Sequence, residues 1–194
     1  HNAAFDFHGA NAAYVPLHVP SPDLPELVSA LGDLGFAGFS VTLPHKRAVM
    51  KQAAGLDAIA RVAGAANTLM LHDDPDGSRW WATNTDLPAA IGAVERALGD
   101  GRGLAGQRAL ILGAGGVAHA IAHGLAHAQA RVTIAARSVD KAQGLAERVG
   151  GEFVRWDQRT EVAADVLVNC TPVGMHPHVD ATPIPRGALQ PSCV

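Results

Sequence analysis

The 194-residue sequence predicts an α/β protein of two lobes, the second a doubly wound parallel sheet. Three observations carry this reading. Beyond residue 101 short apolar runs alternate with helical stripes, the pattern of right-handed strand–helix–strand crossovers. A glycine-rich loop, Gly113-Ala114-Gly115-Gly116, joins the first of those runs to the first helix. Gly99-Asp100-Gly101-Arg102-Gly103 is the strongest linker signal in the chain and divides it into residues 1–100 and 101–194.

In the first lobe, the apolar run from Ala12 to Val19 reads as a strand. Ser21-Pro22-Asp23 then opens a helix with Leu24, Leu27, Val28, Leu31 and Leu34 at helical spacing, and Gly35 ends it. Gly38 to Thr42 reads as a second strand. Pro44 stops it and lets a helix start close to Lys46. Ala66 to Leu71 and Trp80 to Thr83 read as strands bracketing Asp73-Asp74-Pro75-Asp76-Gly77, a composition that suits a hairpin turn. The helix after Asn84-Thr85-Asp86 carries Ile91, Val94 and Leu98.

In the second lobe the order is strand (Arg108 to Leu112), helix (Val117 to Ala128), strand (Arg131 to Ala136) and helix (Asp140 to Val149). Two further strands follow, Glu152 to Trp156 and Val166 to Asn169, and a fifth begins at Ser192-Cys193-Val194.

Composition narrows the function classes. Hydrophobic residues at 48% and charged residues at 17% are enough to bury a core. A formal charge of −3 offers no positive excess for a nucleic-acid backbone or an anionic membrane. No apolar run approaches the roughly 20 residues that span a bilayer, and the first residues do not resemble a signal segment, so a cytoplasmic protein is expected. Cys170 and Cys193 are the only cysteines and lie far apart, as suits small core residues in a reducing compartment.

Gly113 to Ala118 follows a buried-type strand and opens a helix, which is the setting of a dinucleotide loop. Gly113 allows the tight turn and Gly115 the close approach of backbone to pyrophosphate. The helix start aims its unpaired N–H groups at the phosphates. Cofactor contacts are therefore expected from Gly113, Ala114, Gly115, Gly116 and Val117. The second strand ends at Ala136-Arg137-Ser138 with no carboxylate for the ribose hydroxyls of NAD. Arg137 and Ser138 suit a 2′-phosphate instead, and Lys141 lies one turn further on, so NADP(H) is the expected cofactor. His119, His123 and His127 share a helix face but lack the further ligands of a metal site, and none is expected there.

Three polar clusters end strands in the first lobe: residues 40–46, 65–68 and 83–86. Ligands of open α/β sheets bind beyond the carboxyl ends of strands, so these clusters are expected to face a crevice shared with the second lobe.

The clusters carry a resemblance. Val41-Thr42-Leu43-Pro44-His45-Lys46, Gly64-Ala65-Ala66-Asn67-Thr68 and Asn84-Thr85-Asp86 resemble, in order and spacing, the lysine, asparagine and aspartate motifs of the shikimate dehydrogenase family. The loop at Gly113 to Ala118 matches too. Asn169-Cys170-Thr171-Pro172-Val173-Gly174-Met175 is similar to the family's segment near the nicotinamide, which adds Thr171 to the cofactor set. His1-Asn2 resembles the pair that follows the family's N-terminal serine motif.

The resemblance implies an N-terminal α/β substrate lobe followed by a Rossmann-type NADP-binding lobe, and reversible reduction of 3-dehydroshikimate to shikimate. As hydride reaches the ketone carbon, charge grows on oxygen, and a cationic Lys46 can stabilise it and deliver the proton. Asp86 beside it would orient the ammonium and could bind a substrate hydroxyl. Thr42 and Asn67, with Lys46 and Asp86, are the expected substrate-binding residues.

Ser40 and Ala136 stand where many family members carry Asn. The family's serine motif would precede His1, and its last strand, a tyrosine, a glutamine and closing helices would follow Val194. The chain is accordingly expected to be a piece of a longer one, and fusion to a dehydratase domain stays open, as does a monomer or a homodimer. Two rival functions also stay open: a quinate/shikimate dehydrogenase, and a non-catalytic module that senses NADP or the metabolite.

Overall fold

The structure, a computed structural model, describes residues 1–72, 77, 79–99, 101–190 and 192–194. Apart from Gly77, the hairpin turn expected at 73–77 lies outside the described residues. Fourteen elements are used below. Helix α1 is Asn2–Phe7 and α2 is Leu24–Asp33, followed by β1 (Gly38–Ser40), β2 (Gly55–Leu56), α3 (Ala58–Ala63), β3 (Thr68–His72), β4 (Arg79–Thr83) and α4 (Asp86–Leu98). The second half holds β5 (Arg108–Leu112), α5 (Gly116–His127), β6 (Arg131–Ala136), α6 (Val139–Val149), β7 (Glu152–Arg155) and β8 (Val166–Asn169).

The first sheet runs β1-β3-β4-β2, antiparallel except for the parallel β2–β4 pair. Leu69 on β3 and Trp80 and Ala82 on β4 point inward while Met70 and Trp81 point out, the period-2 alternation of a strand covered on one face. Leu24 and Val28 of α2 meet that inner face, together with Val49, Ala60 and Ala66. The Trp80 indole N–H donates to the Val28 carbonyl at 2.9 Å, which fixes α2 on the sheet.

The second sheet runs β7-β6-β5-β8, all parallel. In order of appearance that is third, second, first, fourth, the order of a Rossmann half. Ala109 to Leu112 are buried without alternation, as a central strand covered on both faces requires. Ile111, Val132 and Ile134 share a core with Leu125 of α5 and Leu145 of α6. Leu110, Leu112 and Ala135 face the other way, onto Ala164 and Ile184.

Ala63 of α3 and Leu87 and Leu98 of α4 belong to the same buried cluster as α5. Two helices that precede the Gly99 linker thus pack against the glycine-loop helix of the second sheet. Asp86, the first residue of α4, is held relative to that loop by side-chain packing.

Several expectations change. Ala12 to Val19 forms no strand, because its backbone is engaged elsewhere: the Asn2 side chain holds both the N–H and the carbonyl of Tyr14, and His45 Nε2 donates to the Val19 carbonyl at 2.8 Å. A groove of about 290 Å³, lined by Leu31, Phe36, Phe39 and Val41, separates this stretch from β1. The helix expected close to Lys46 is a run of hydrogen-bonded turns that tightens to a 3₁₀ turn at Val49–Lys51. Among the described residues 192–194 no strand forms, although Val194 donates to Asp165 and accepts from Leu167 beside β8.

Candidate active site

Lys46 and Asp86, forty positions apart, meet: Lys46 Nζ donates to Asp86 Oδ2 at 2.7 Å. The lysine arrives on the turns that follow β1, and the aspartate opens α4 just past β4. Their side chains are 31% and 57% exposed, so water screens the pair and its contribution to stability is small. An accessible ammonium oriented by a carboxylate is suited to chemistry on a ligand from solvent.

Asn67 is joined to Thr85, the residue before Asp86. Its Oδ1 accepts from the Thr85 N–H at 2.9 Å and the Thr68 hydroxyl at 3.0 Å, and its Nδ2 donates to Thr85 Oγ1 at 2.9 Å. One Nδ2 hydrogen stays available, because a primary amide carries two. Thr42 is exposed one turn before Lys46, and its carbonyl accepts the His45 N–H. The structure joins Lys46 directly to Asp86 and links Asn67 to Asp86 only through Thr85, while the Thr42 hydroxyl makes no hydrogen bond with Lys46, Asn67 or Asp86.

The glycine loop leaves β5 at Gly113, whose φ of +108° lies in the region that favours glycine. A Cβ there would stand 3.0 Å from the Cys170 carbonyl, so the loop is also wedged against the segment that leaves β8. Gly115, Gly116 and Val117 are exposed, Ala114 is half-buried, and no side chain caps α5. Ala136, the last residue of β6, is buried, while Arg137, Ser138 and Lys141 are exposed at the α6 start. These positions fit a phosphorylated dinucleotide: open N–H groups for the pyrophosphate and an exposed guanidinium, hydroxyl and ammonium for a further phosphate. Thr171 is held by Asn169, whose Oδ1 accepts its N–H at 3.0 Å and its hydroxyl at 2.7 Å.

Two family models match the chain: the shikimate dehydrogenase substrate binding domain over residues 1–69, and shikimate / quinate 5-dehydrogenase over residues 95–179. The solved structure of shikimate 5-dehydrogenase from Thermus thermophilus in complex with NADP(H) and shikimate superposes with a TM-score of 0.79. It is 31% identical, with 96% of this chain and 67% of that one covered. The chain belongs to the shikimate dehydrogenase family. The shikimate dehydrogenase (NADP(+)) of Syntrophobacter fumaroxidans is 38% identical over all of this chain, which spans 65% of that relative's length. The chloroplastic bifunctional 3-dehydroquinate dehydratase/shikimate dehydrogenase of Arabidopsis thaliana is 35% identical over 98% of this chain, which spans 33% of it.

In this member of the family, burial pushes the Cys170 thiol up to about 11, so it is neutral beside the glycine loop. His119, on α5, is pushed below the ordinary histidine range by burial, with Arg148, His123 and Arg47 adding repulsion. Among the described residues no three His, Cys, Asp or Glu side chains form a metal-holding group, and no helix is long and apolar enough to cross a membrane.

Reading the sequence assigned no role to Asn84, Asp57 or Asn169. Asp57 Oδ1 caps α3 through the Ala60 N–H at 2.7 Å, and its Oδ2 accepts from the Thr83 hydroxyl, tying α3 to the end of β4. Asp57 with Gly64 seven residues on is a start and stop pair that could have revealed the six-residue α3.

Proposed function

We propose that the full-length protein reversibly reduces 3-dehydroshikimate to shikimate with NADPH, as a cytoplasmic step of aromatic amino-acid biosynthesis. The observation that carries this reading is the 2.7 Å Lys46–Asp86 pair at the end of the substrate sheet. Residues 1–100 serve as the substrate lobe and 101–194 as the NADP lobe.

What the dinucleotide supplies when bound is a hydride for the ketone carbon. Lys46 stabilises the charge that grows on the carbonyl oxygen and transfers one proton to it, so ketone, hydride and proton give the alcohol. Asp86 orients the ammonium and accepts from a ring hydroxyl. Asn67, with its remaining amide hydrogen, and Thr42 hold the polar rim of the substrate. Gly113 to Val117 seat the pyrophosphate, and Arg137, Ser138 and Lys141 hold the 2′-phosphate beside Ala136. Thr171 lines the nicotinamide end.

Initial rates of the full-length protein with shikimate and quinate, each with NADP and NAD, test this reading. The shikimate and NADP combination is expected to be the fastest. A preference for quinate with NAD would assign the protein to quinate metabolism, and NADP binding without turnover would make it a sensor; either result overturns the proposal.

A further inference from the structure

We infer that Asn84 is a positioning residue that sets the Asp86 carboxylate against Lys46 through a bracket built on the Ala65-Ala66 backbone. Asn84 is 4% exposed and is the one buried polar side chain among the described residues that fall in the buried class. Its Oδ1 accepts from the N–H groups of Asp86 at 3.0 Å and Leu87 at 3.1 Å, and its Nδ2 donates to the Ala65 carbonyl at 2.9 Å.

The next residue completes the arrangement: the Ala66 N–H donates to the Lys46 carbonyl at 2.7 Å. The backbones of Lys46 and Asp86 are therefore tied to adjacent residues of one bend, the lysine directly and the aspartate through a single side chain. Asn67 adds a parallel tie, from the Thr85 N–H. Capping the first turn of α4 needs only an acceptor at position 84, and a serine oxygen supplies one. The donor bond to Ala65 is superfluous for a cap. It fixes where the helix start, and with it Asp86, stands relative to Lys46. A buried amide with both ends satisfied holds its neighbours to one geometry.

This inference rests on the reading of Lys46 and Asp86 as the proton-handling pair. Its test uses the full-length protein and Asn84→Ser, which keeps the capping oxygen and cannot reach Ala65. The expected result is a kcat reduced roughly 10- to 100-fold, the scale of a small misplacement of a catalytic group. KM for NADP and its dissociation constant should change less than about twofold, and the melting temperature should stay near that of the parent. In an Asp86→Asn background, Asn84→Ser should cause no further loss of kcat, because the two act as one unit. Parent-level kcat in Asn84→Ser reduces Asn84 to a helix cap, and multiplying losses in the double variant show that it acts elsewhere; each overturns the inference.

If Asn84→Ser fails to fold, Asn84→Asp, which retains the acceptors and lacks the donor, carries the same expectation. A readout free of turnover separates failure of this inference from failure of the functional reading. Lys46→Met should shift the ¹³C resonance of the Asp86 carboxyl in the parent and shift it little in Asn84→Ser. An equal shift in both overturns the inference even if the protein reduces no shikimate.

Discussion

Gly124 of α5 lies so close to Leu87 of α4 that a Cβ at Gly124 would stand 2.7 Å from Leu87 Cδ1, and 2.9 Å from the Ile91 side chain. Glycine inside a helix costs about 1 kcal/mol relative to alanine. Here the close approach of α4 and α5 offsets that cost. It sets how near the helix that begins at Asp86 comes to the helix that begins at the glycine loop.

Gly124→Val should therefore destabilise the protein by about 2 kcal/mol through overpacking, a drop of roughly 4–8 °C in melting temperature by circular dichroism. Leu87→Ala in the same chain should recover part of the loss by vacating the space. A valine variant as stable as the parent would show that the two helices are free to separate.

Arg137→Ala should weaken NADP binding about tenfold or more and leave NAD within about twofold, because a charge-assisted bond to a 2′-phosphate contributes about 1.5–3 kcal/mol. Arg137 is exposed and forms no ion pair among the described residues, so its removal should not move the melting temperature. Equal losses for both dinucleotides, measured by fluorescence titration, would remove it from the phosphate site.

How much of this was legible in the sequence differs between the lobes. Arg108 to Leu112 and Val166 to Asn169 match the observed strands to the residue, because a parallel strand buried on both faces is an unbroken apolar run. Ala12 to Val19 has similar composition and is no strand, because a strand exists only through its ladder partner and here side chains of Asn2 and His45 take the backbone groups. In the site, the motifs singled out Lys46, Asn67 and Asp86 individually. Their juxtaposition depends on β3 lying between β1 and β4, a pairing order that no local pattern encodes. Asn84 stood within a quoted motif, but its role needs the Ala65 carbonyl, nineteen positions away.

The Arg108–Asp165 pair gives the protein a pH dependence. Arg108 donates to Asp165 from its backbone N–H and Nε, both at 3.0 Å, and from Nη2 at 2.7 Å, joining the starts of β5 and β8. These bonds hold the Asp165 carboxyl down at about 2. A depressed carboxyl contributes stability that is complete above its unfolded value of roughly 4 and is lost as pH falls through the folded value. Asp165→Asn should therefore be less stable than the parent to urea at pH 7, by an amount steady down to about pH 5. The gap should close between about pH 4 and pH 2. A gap of the same size at pH 2.5 would show that the charge on Asp165 is not its source.

Lys46 is assigned two tasks, neutralising growing negative charge and delivering a proton, and two substitutions separate them. Lys46→Ala removes both and should lower turnover of the full-length protein at least about 100-fold, the range of general acid catalysis. NADP affinity should hold within about twofold, because Lys46 follows β1 of the first sheet and does not lie at the glycine loop after β5. Lys46→Arg keeps the positive charge next to Asp86, but a guanidinium does not give up its proton in proteins. If proton delivery dominates, Lys46→Arg should be nearly as slow as Lys46→Ala. If Lys46→Arg keeps a third or more of the parent turnover, electrostatic stabilisation is the larger part and the proton reaches the oxygen from elsewhere. Should Lys46→Ala itself turn over at the parent rate, the Lys46–Asp86 pair has no part in the chemistry.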